Sequence, residues 1–192
     1  VLGIDRVEFL GYTDSGMDGW EQNNDPASFW QADVDEAAER LAAILREESA
    51  DVLTVYDPHG NYGHPDHIQV HRVGHLAGEL AGTPAVYEAT MNRDALRRMI
   101  EFARANSVEW DEREIPEDAP LGMPEATITT SVDVSGFVER KRASIMAHAS
   151  QVTDSEFFLK MPPEMFNQTF STEWFIRKGA PPGIHEDMLA GL

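Results

Sequence analysis

Between Tyr56 and His67 stand six side chains that can ligate a metal, carry a proton or donate to an oxyanion: Asp57, His59, Tyr62, His64, Asp66 and His67. The segment reads Tyr-Asp-Pro-His-Gly-Asn-Tyr-Gly-His-Pro-Asp-His. Pro65 suits the first turn of a helix, where its missing N–H costs nothing, so His64 falls near the N-cap and His67 one turn in. The two imidazoles then share a face at a chelating spacing, and imidazole suits zinc, iron or nickel. Asp66, or an anionic intermediate, is favoured by the first-turn dipole. A catalytic zinc site takes three protein ligands plus a water, so this pair needs at least one more histidine or carboxylate.

The elements around the loop position it. Asp51–Tyr56 has strand character, and a helical pattern runs over 65–81 with Ile68, Val73, Leu76, Ala77 and Leu80 as its expected buried face. In open α/β sheets, loops leaving strand ends aim side chains into the ligand crevice. Val7–Leu10 is a further strand candidate, followed by the polar loop Gly11–Met17, and the aromatic residues Trp20, Phe29 and Trp30 are expected to pack over the core. Asp33–Glu48 reads as an amphipathic helix capped by Asp33 or Asp35, Thr83–Ala89 as a strand and Arg93–Asn106 as a helix. Ser107–Glu125 reads as an acidic surface excursion anchored by Trp110, Ala126–Val134 as a strand and Val138–Ala149 as a helix. The alternation predicts a Rossmann-like three-layer α/β/α domain with a mainly parallel sheet over residues 1–192, with 152–192 an aromatic-rich tail packed on it.

Other titratable residues carry weaker signals. His71 and His75 continue from His67 in four-residue steps and read as supporting or solvent-facing residues. Asp14 leaves a strand-like segment and is a site candidate, with an Asx-turn role as the alternative. His148 ends a helix, where a cation is favoured structurally, with a site role as the alternative, and His185 reads as a bland tail residue.

Composition removes several classes. With 192 residues, 42% apolar and 26% charged, the chain suits one soluble α/β domain. A net charge of −19 argues against nucleic acid or an anionic membrane as partner. The absence of cysteine excludes disulfides and thiolate ligands, so any metal is held by histidine and carboxylate. No apolar run approaches the ~20 residues of a membrane span, and a cytoplasmic location is the default expectation.

Three ordered segments resemble one family. The 56–67 segment looks like the second signature of the PIG-L/LmbE-type zinc N-deacetylases, which include N-acetylglucosaminyl-phosphatidylinositol deacetylases and a mycothiol-pathway deacetylase and amidase. Leu10-Gly11-Tyr12-Thr13-Asp14-Ser15-Gly16-Met17 resembles an upstream segment of that family, and Lys141–Gln151 a downstream one. The resemblance implies that Zn2+ is held by His67 and that His64, oriented by Asp66, stabilises the tetrahedral intermediate. It implies too that Tyr62 lies at the pocket mouth, touching substrate or oxyanion, and that Asp14 sits near the sugar. The implied reaction is hydrolysis of an acetamide on an N-acetylglucosamine-like small-molecule conjugate.

The family's first signature, Ala-His-Pro-Asp-Asp-Glu, supplies a histidine and an aspartate as zinc ligands and another aspartate as general base, and it does not occur in this sequence. The expectation is therefore a chain lacking the N-terminal βα units, binding zinc weakly and inactive alone. The alternatives are a non-catalytic sugar- or cofactor-binding domain and a metal-dependent amidase of a thiol conjugate. The strand edge left by missing units is an aggregation liability unless a second chain covers it, which leaves room for a homo-oligomer.

Overall fold

In the computed structural model, residues 1–105, 121–148 and 163–184 are described. The Ser107–Glu125 excursion with Trp110 lies largely outside the described residues, as do Gln151, Phe157, Phe158 and His185. The first helix, α1 (Val34–Glu47), is capped by Asp33, whose carboxylate accepts from Glu36 N–H at 2.9 Å. Strand β1 (Val52–Tyr56) leads through the polar loop into α2 (Pro65–Ala81), which ends at Gly82 in the left-handed conformation. Strand β2 (Ala85–Thr90), α3 (Arg93–Ala105), β3 (Thr130–Asp133), α4 (Val138–Ala147), α5 (Pro163–Phe170) and β4 (Thr172–Arg177) follow.

The sheet has the order β1-β2-β4-β3, with β1 and β2 parallel and β4 antiparallel to both β2 and β3. Three strands therefore share one sense and β4 alone is reversed, so the fold is α/β with a mostly parallel, mixed sheet. Strand β4 is the piece that sequence periodicity did not announce. Its residues came from the aromatic stretch, and Phe175 is buried against Ala85 and Tyr87, with Tyr87 edge-on to Phe175 at 6.2 Å between ring centres.

One face of the sheet is covered by α2, which packs in turn on α1 through Ala37, Ala38, Ala42, Leu45, Val73 and Ala77. The helix approaches so closely because of two glycines. A Cβ at Gly74 would lie 2.3 Å from Val55 Cγ1, and one at Gly78 would lie 2.9 Å from Val86 Cγ2. This contact keeps Val73 and Ala77 of the expected face buried, with Leu76 packed beside them, and adds Gln69, Gly74 and Gly78 to it. Gln69, Val73, Gly74, Ala77 and Gly78 are buried, whereas Leu80 is 37% exposed. Glycine thus marks the buried stripe that a count of large apolar residues overlooks.

The expected strand at Val7–Leu10 does not form. Arg6–Leu10 pairs with no strand among the described residues, and Val7 and Phe9 are 66% and 89% exposed. An extended segment with no ladder partner gains no sheet hydrogen bonds, whatever its β-propensity. The outer edge of β1 is likewise unpaired among the described residues. Beside it lies a cavity of about 490 Å³ lined by Leu10, Tyr12, Leu53, Val55 and Val73, with Asp14 and Asp66 contributing polar lining. Phe29 packs against Tyr12 with ring centres 5.3 Å apart, and Trp30 lies under the Arg72 guanidinium at 4.8 Å, but Trp20 is 54% exposed.

Candidate metal and catalytic site

The loop after β1 is built on Asp57, a fully buried carboxylate. Its Oδ1 accepts from the backbone N–H groups of His59 and Asn61 at 3.0 and 2.9 Å, and its Oδ2 accepts from Thr90 Oγ1 at 2.6 Å. Asp57 therefore shapes the loop and is not presented to a ligand. Gly60 follows at φ +61, and a Cβ there would fall 2.8 Å from the Cβ of His67. Only glycine meets both demands, and its carbonyl is thereby brought to His67.

The two central imidazoles are held in opposite tautomers, as assigned from their partners. His67 Nδ1 lies 3.2 Å from the Gly60 carbonyl oxygen. A carbonyl only accepts, so Nδ1 carries the proton and Nε2 keeps a free lone pair. His64 is the N-cap of α2, and its Nδ1 accepts from Asp66 N–H at 3.2 Å. In the neutral ring the proton is then on Nε2, which makes His64 a donor. The rings are stacked with centres 4.8 Å apart, while Tyr56 stacks on the other side of His67 at 3.8 Å. Tyr62, 46% exposed, stands edge-on to His67 at 5.2 Å and to His64 at 6.1 Å.

The Asp66 carboxylate is fixed from the other loop. Ser15 N–H donates to Oδ2 at 3.1 Å and Ser15 Oγ–H donates to Oδ1. Ser15 Oγ in turn accepts from Trp30 N–H at 2.9 Å. Asp14 does close an Asx turn, with Oδ1 accepting from Gly16 N–H at 2.7 Å. It also joins His64 and Asp66 in a group whose candidate ligand atoms lie within 4.8 Å of one another. The structure thus gathers His64, Asp66, His67, Tyr62 and Asp14, whereas His59 is exposed at the rim. His148 is exposed, with its Nδ1 donating to Ser144 O of its own helix at 2.8 Å.

Ser15 and Gly60 are site residues that a search for chemically active types passes over. Glu88 is a chemically able type that no motif or spacing singles out in the sequence. It faces His71 and His75, which are half-buried rather than turned to water.

The donors present suit a metal that prefers nitrogen and oxygen. His67 is tethered through Nδ1–H to a carbonyl, as metal-ligating histidines are, and its Nε2 lone pair is unengaged by the loop. Burial is the main reason its pKa lies below the ordinary 6.5, while the bond to Gly60 opposes the shift and His64 adds to it. The neutral form, the one that ligates, is therefore favoured in the fold. Stability follows with a definite sign. Below about pH 6.5 the unfolded chain takes up a proton at this position that the native state resists, so metal-free stability falls as pH drops toward the lower native value and is unaffected above. Urea midpoints from about pH 8 to about pH 5 are expected to fall more for the unmodified chain than for His67→Gln. Equal slopes would show that His67 is not the group responsible.

Comparison with known proteins bears on the same residues. The family profile for PIG-L, GlcNAc-PI de-N-acetylase, matches residues 1–77, which include the whole loop. A 1D-myo-inositol 2-acetamido-2-deoxy-alpha-D-glucopyranoside deacetylase of Thermobispora bispora is 36% identical over 95% of the chain and 65% of its own length. Proteins of the same name from Geodermatophilus obscurus and Thermobifida fusca are 35% and 37% identical over 100% and 98% of the chain, each covered over 73% of its length. The chain thus spans about two thirds to three quarters of the relatives it matches.

Proposed function

This chain belongs to the PIG-L family of de-N-acetylases, and on that premise we propose that it serves a zinc-dependent hydrolase that removes the N-acetyl group from an N-acetylglucosamine-like conjugate. The substrate class follows the relatives' names and is a glucosaminide of myo-inositol. The observation that carries the reading is the tautomer pair, an Nε2 lone pair on His67 beside an Nε2–H on His64. One is a ligand and the other a donor to developing negative charge.

In this mechanism His67 Nε2 would be one of the ligands that hold the ion. Bound zinc supplies polarisation of the acetamide carbonyl and a lowered pKa for water. His64 donates from Nε2–H to the oxygen that becomes negative as the carbonyl carbon turns tetrahedral. The backbone N–H of Asp66 keeps that proton on Nε2, and the Asp66 carboxylate is immobilised by Ser15, so the donor is preorganised before substrate arrives. Asp14 accepts from a sugar hydroxyl through the oxygen not engaged by Gly16, and Tyr62 covers the mouth where the acyl group enters. Addition of water to the carbonyl carbon and cleavage of the C–N bond, with the water's proton passing to the departing nitrogen, would yield acetate and the free amine; the family's general base belongs to the signature that this sequence does not contain. Among the described residues no helix is long and apolar enough to cross a membrane.

The 192-residue chain, which lacks the family's first signature, is expected to release little acetate alone; the test is acetate release from 1D-myo-inositol 2-acetamido-2-deoxy-α-D-glucopyranoside by a form of the protein that also carries that signature, stripped with chelator and then reloaded with zinc. Release that disappears on stripping and returns with zinc is the expected result. Turnover that survives stripping would overturn the metal assignment, and sugar binding with no release at any zinc load would convert the reading to a binding domain.

A further inference from the structure

One turn beyond the site just described, about 6 Å along α2 by helical rise, lies a second group of donors. His71, His75 and Glu88 place one candidate ligand atom each within 4.8 Å of one another. We propose that these residues form a second divalent-cation site of the two-imidazole, one-carboxylate kind, which takes a zinc-class ion and fastens α2 to β2.

The chemistry of the donors is the first argument. His71 and His75 are four residues apart on one face of a helix, and two imidazoles with a carboxylate make a recognised three-ligand zinc set that leaves a fourth position for water. Glu88 supplies the second argument. It sits inside β2, flanked on both sides by paired strands, where glutamate is disfavoured. Its side chain is 14% exposed, and among the described residues its polar partners are the two imidazoles, His75 Nε2 at 2.8 Å and His71 Nδ1 at 3.7 Å. A carboxylate so placed needs compensating positive charge.

The third argument is orientation. His71 Nδ1 lies 3.0 Å from the Tyr56 carbonyl oxygen and 3.7 Å from Glu88, so Nδ1 carries the proton, Nε2 keeps the lone pair, and ligation calls for a turn of the ring that brings Nε2 to the carboxylate. The arrangement repeats that of His67 on the Gly60 carbonyl. The neighbouring Glu79 is engaged by Lys178, so it neither competes for the imidazoles nor completes the set. On binding, the His75 proton that faces Glu88 moves from Nε2 to Nδ1, so that the Nε2 lone pair and the Glu88 carboxylate both face the ion and no net proton is released. The proposal does not depend on the hydrolase reading, since its ligands are separate from those of the first site.

Cobalt(II) titration of the full chain carrying His67→Ala, which removes the first-site ligand, tests it. The expected result is one bound equivalent with the visible absorption of a low-symmetry nitrogen–oxygen site. Adding Glu88→Gln, which keeps the side-chain shape, should weaken that equivalent at least about tenfold, and adding His75→Ala should remove it. A titration with no cobalt absorption, or with affinity unchanged by Glu88→Gln, would overturn the site and leave a structural ion pair. Imidazole nitrogen NMR of the unmutated chain avoids any folding defect of the variants. Zinc should shift the ring nitrogens of both His71 and His75, and unmoved signals under saturating zinc would overturn the proposal equally.

Discussion

In a form of the protein that also carries the family's first signature, His67→Ala will lower deacetylation by about 10³-fold or more and abolish metal binding at the first site, whereas His64→Ala will lower kcat by about 10²- to 10³-fold and leave the metal bound. The contrast follows from hydrogen-bond direction rather than from residue type, since both are histidines with ring centres 4.8 Å apart. His67 spends its proton on the Gly60 carbonyl and offers a lone pair, while His64 receives the Asp66 N–H and offers a proton. Losing the lone pair removes the ion, and with it several kcal/mol of carbonyl polarisation. Losing the proton removes one oxyanion donor, a deficit that falls on the transition state and hence on kcat more than on KM. His64→Gln, which again pairs an acceptor with an N–H donor, should recover part of the rate, and His67→Gln should not. Paired measurement of bound zinc and of kcat decides the matter. Metal loss in His64→Ala would reassign that residue as a ligand, and full metal retention in His67→Ala would show that His67 does not hold the ion.

What the sequence disclosed about this site was local. Pro65 fixes where α2 begins, so the positions of His64 and His67 could be read without any tertiary information, and the helix spans 65–81 as its pattern indicates. Long-range pairings were hidden. Ser15 reaches Asp66 across 51 residues, and His75 meets Glu88 from a different element, because the glycines at 74 and 78 let the helix settle on Val55 and Val86. No periodicity records such an approach. Asp57 was legible only as a chemically able residue, and its backbone-holding role depends on Thr90 from the neighbouring strand. The Val7–Leu10 expectation failed for a related reason, since β-propensity describes a side chain's fit to a sheet but cannot supply the partner strand.

Asp57→Ala will destabilise the fold by about 3–5 kcal/mol, the largest stability effect expected of any single loop substitution. The carboxylate is fully buried and accepts three hydrogen bonds, from the N–H groups of His59 and Asn61 and from the Thr90 hydroxyl. Alanine strands all three donors where water has little access, at about 1–3 kcal/mol each before relaxation. Asp57→Asn separates charge from geometry. Its amide oxygen can still serve both backbone N–H groups and its NH2 can donate to the Thr90 oxygen, so a loss of about 1–2 kcal/mol is expected. Urea unfolding measures both, and for a chain of this length 3 kcal/mol corresponds to a fall in Tm of roughly 6–12 °C. The site should suffer beyond the stability change. Asn61 N–H anchors the turn in which Gly60 points its carbonyl at His67, and once that turn loosens, His67 loses the contact that keeps Nε2 unprotonated. Zinc affinity of Asp57→Ala, measured at a temperature where the variant remains folded, should therefore drop about 10- to 100-fold. A destabilised variant whose zinc affinity is unchanged would show that Asp57 supports the fold alone, and that His67 is held by α2 without help from the loop.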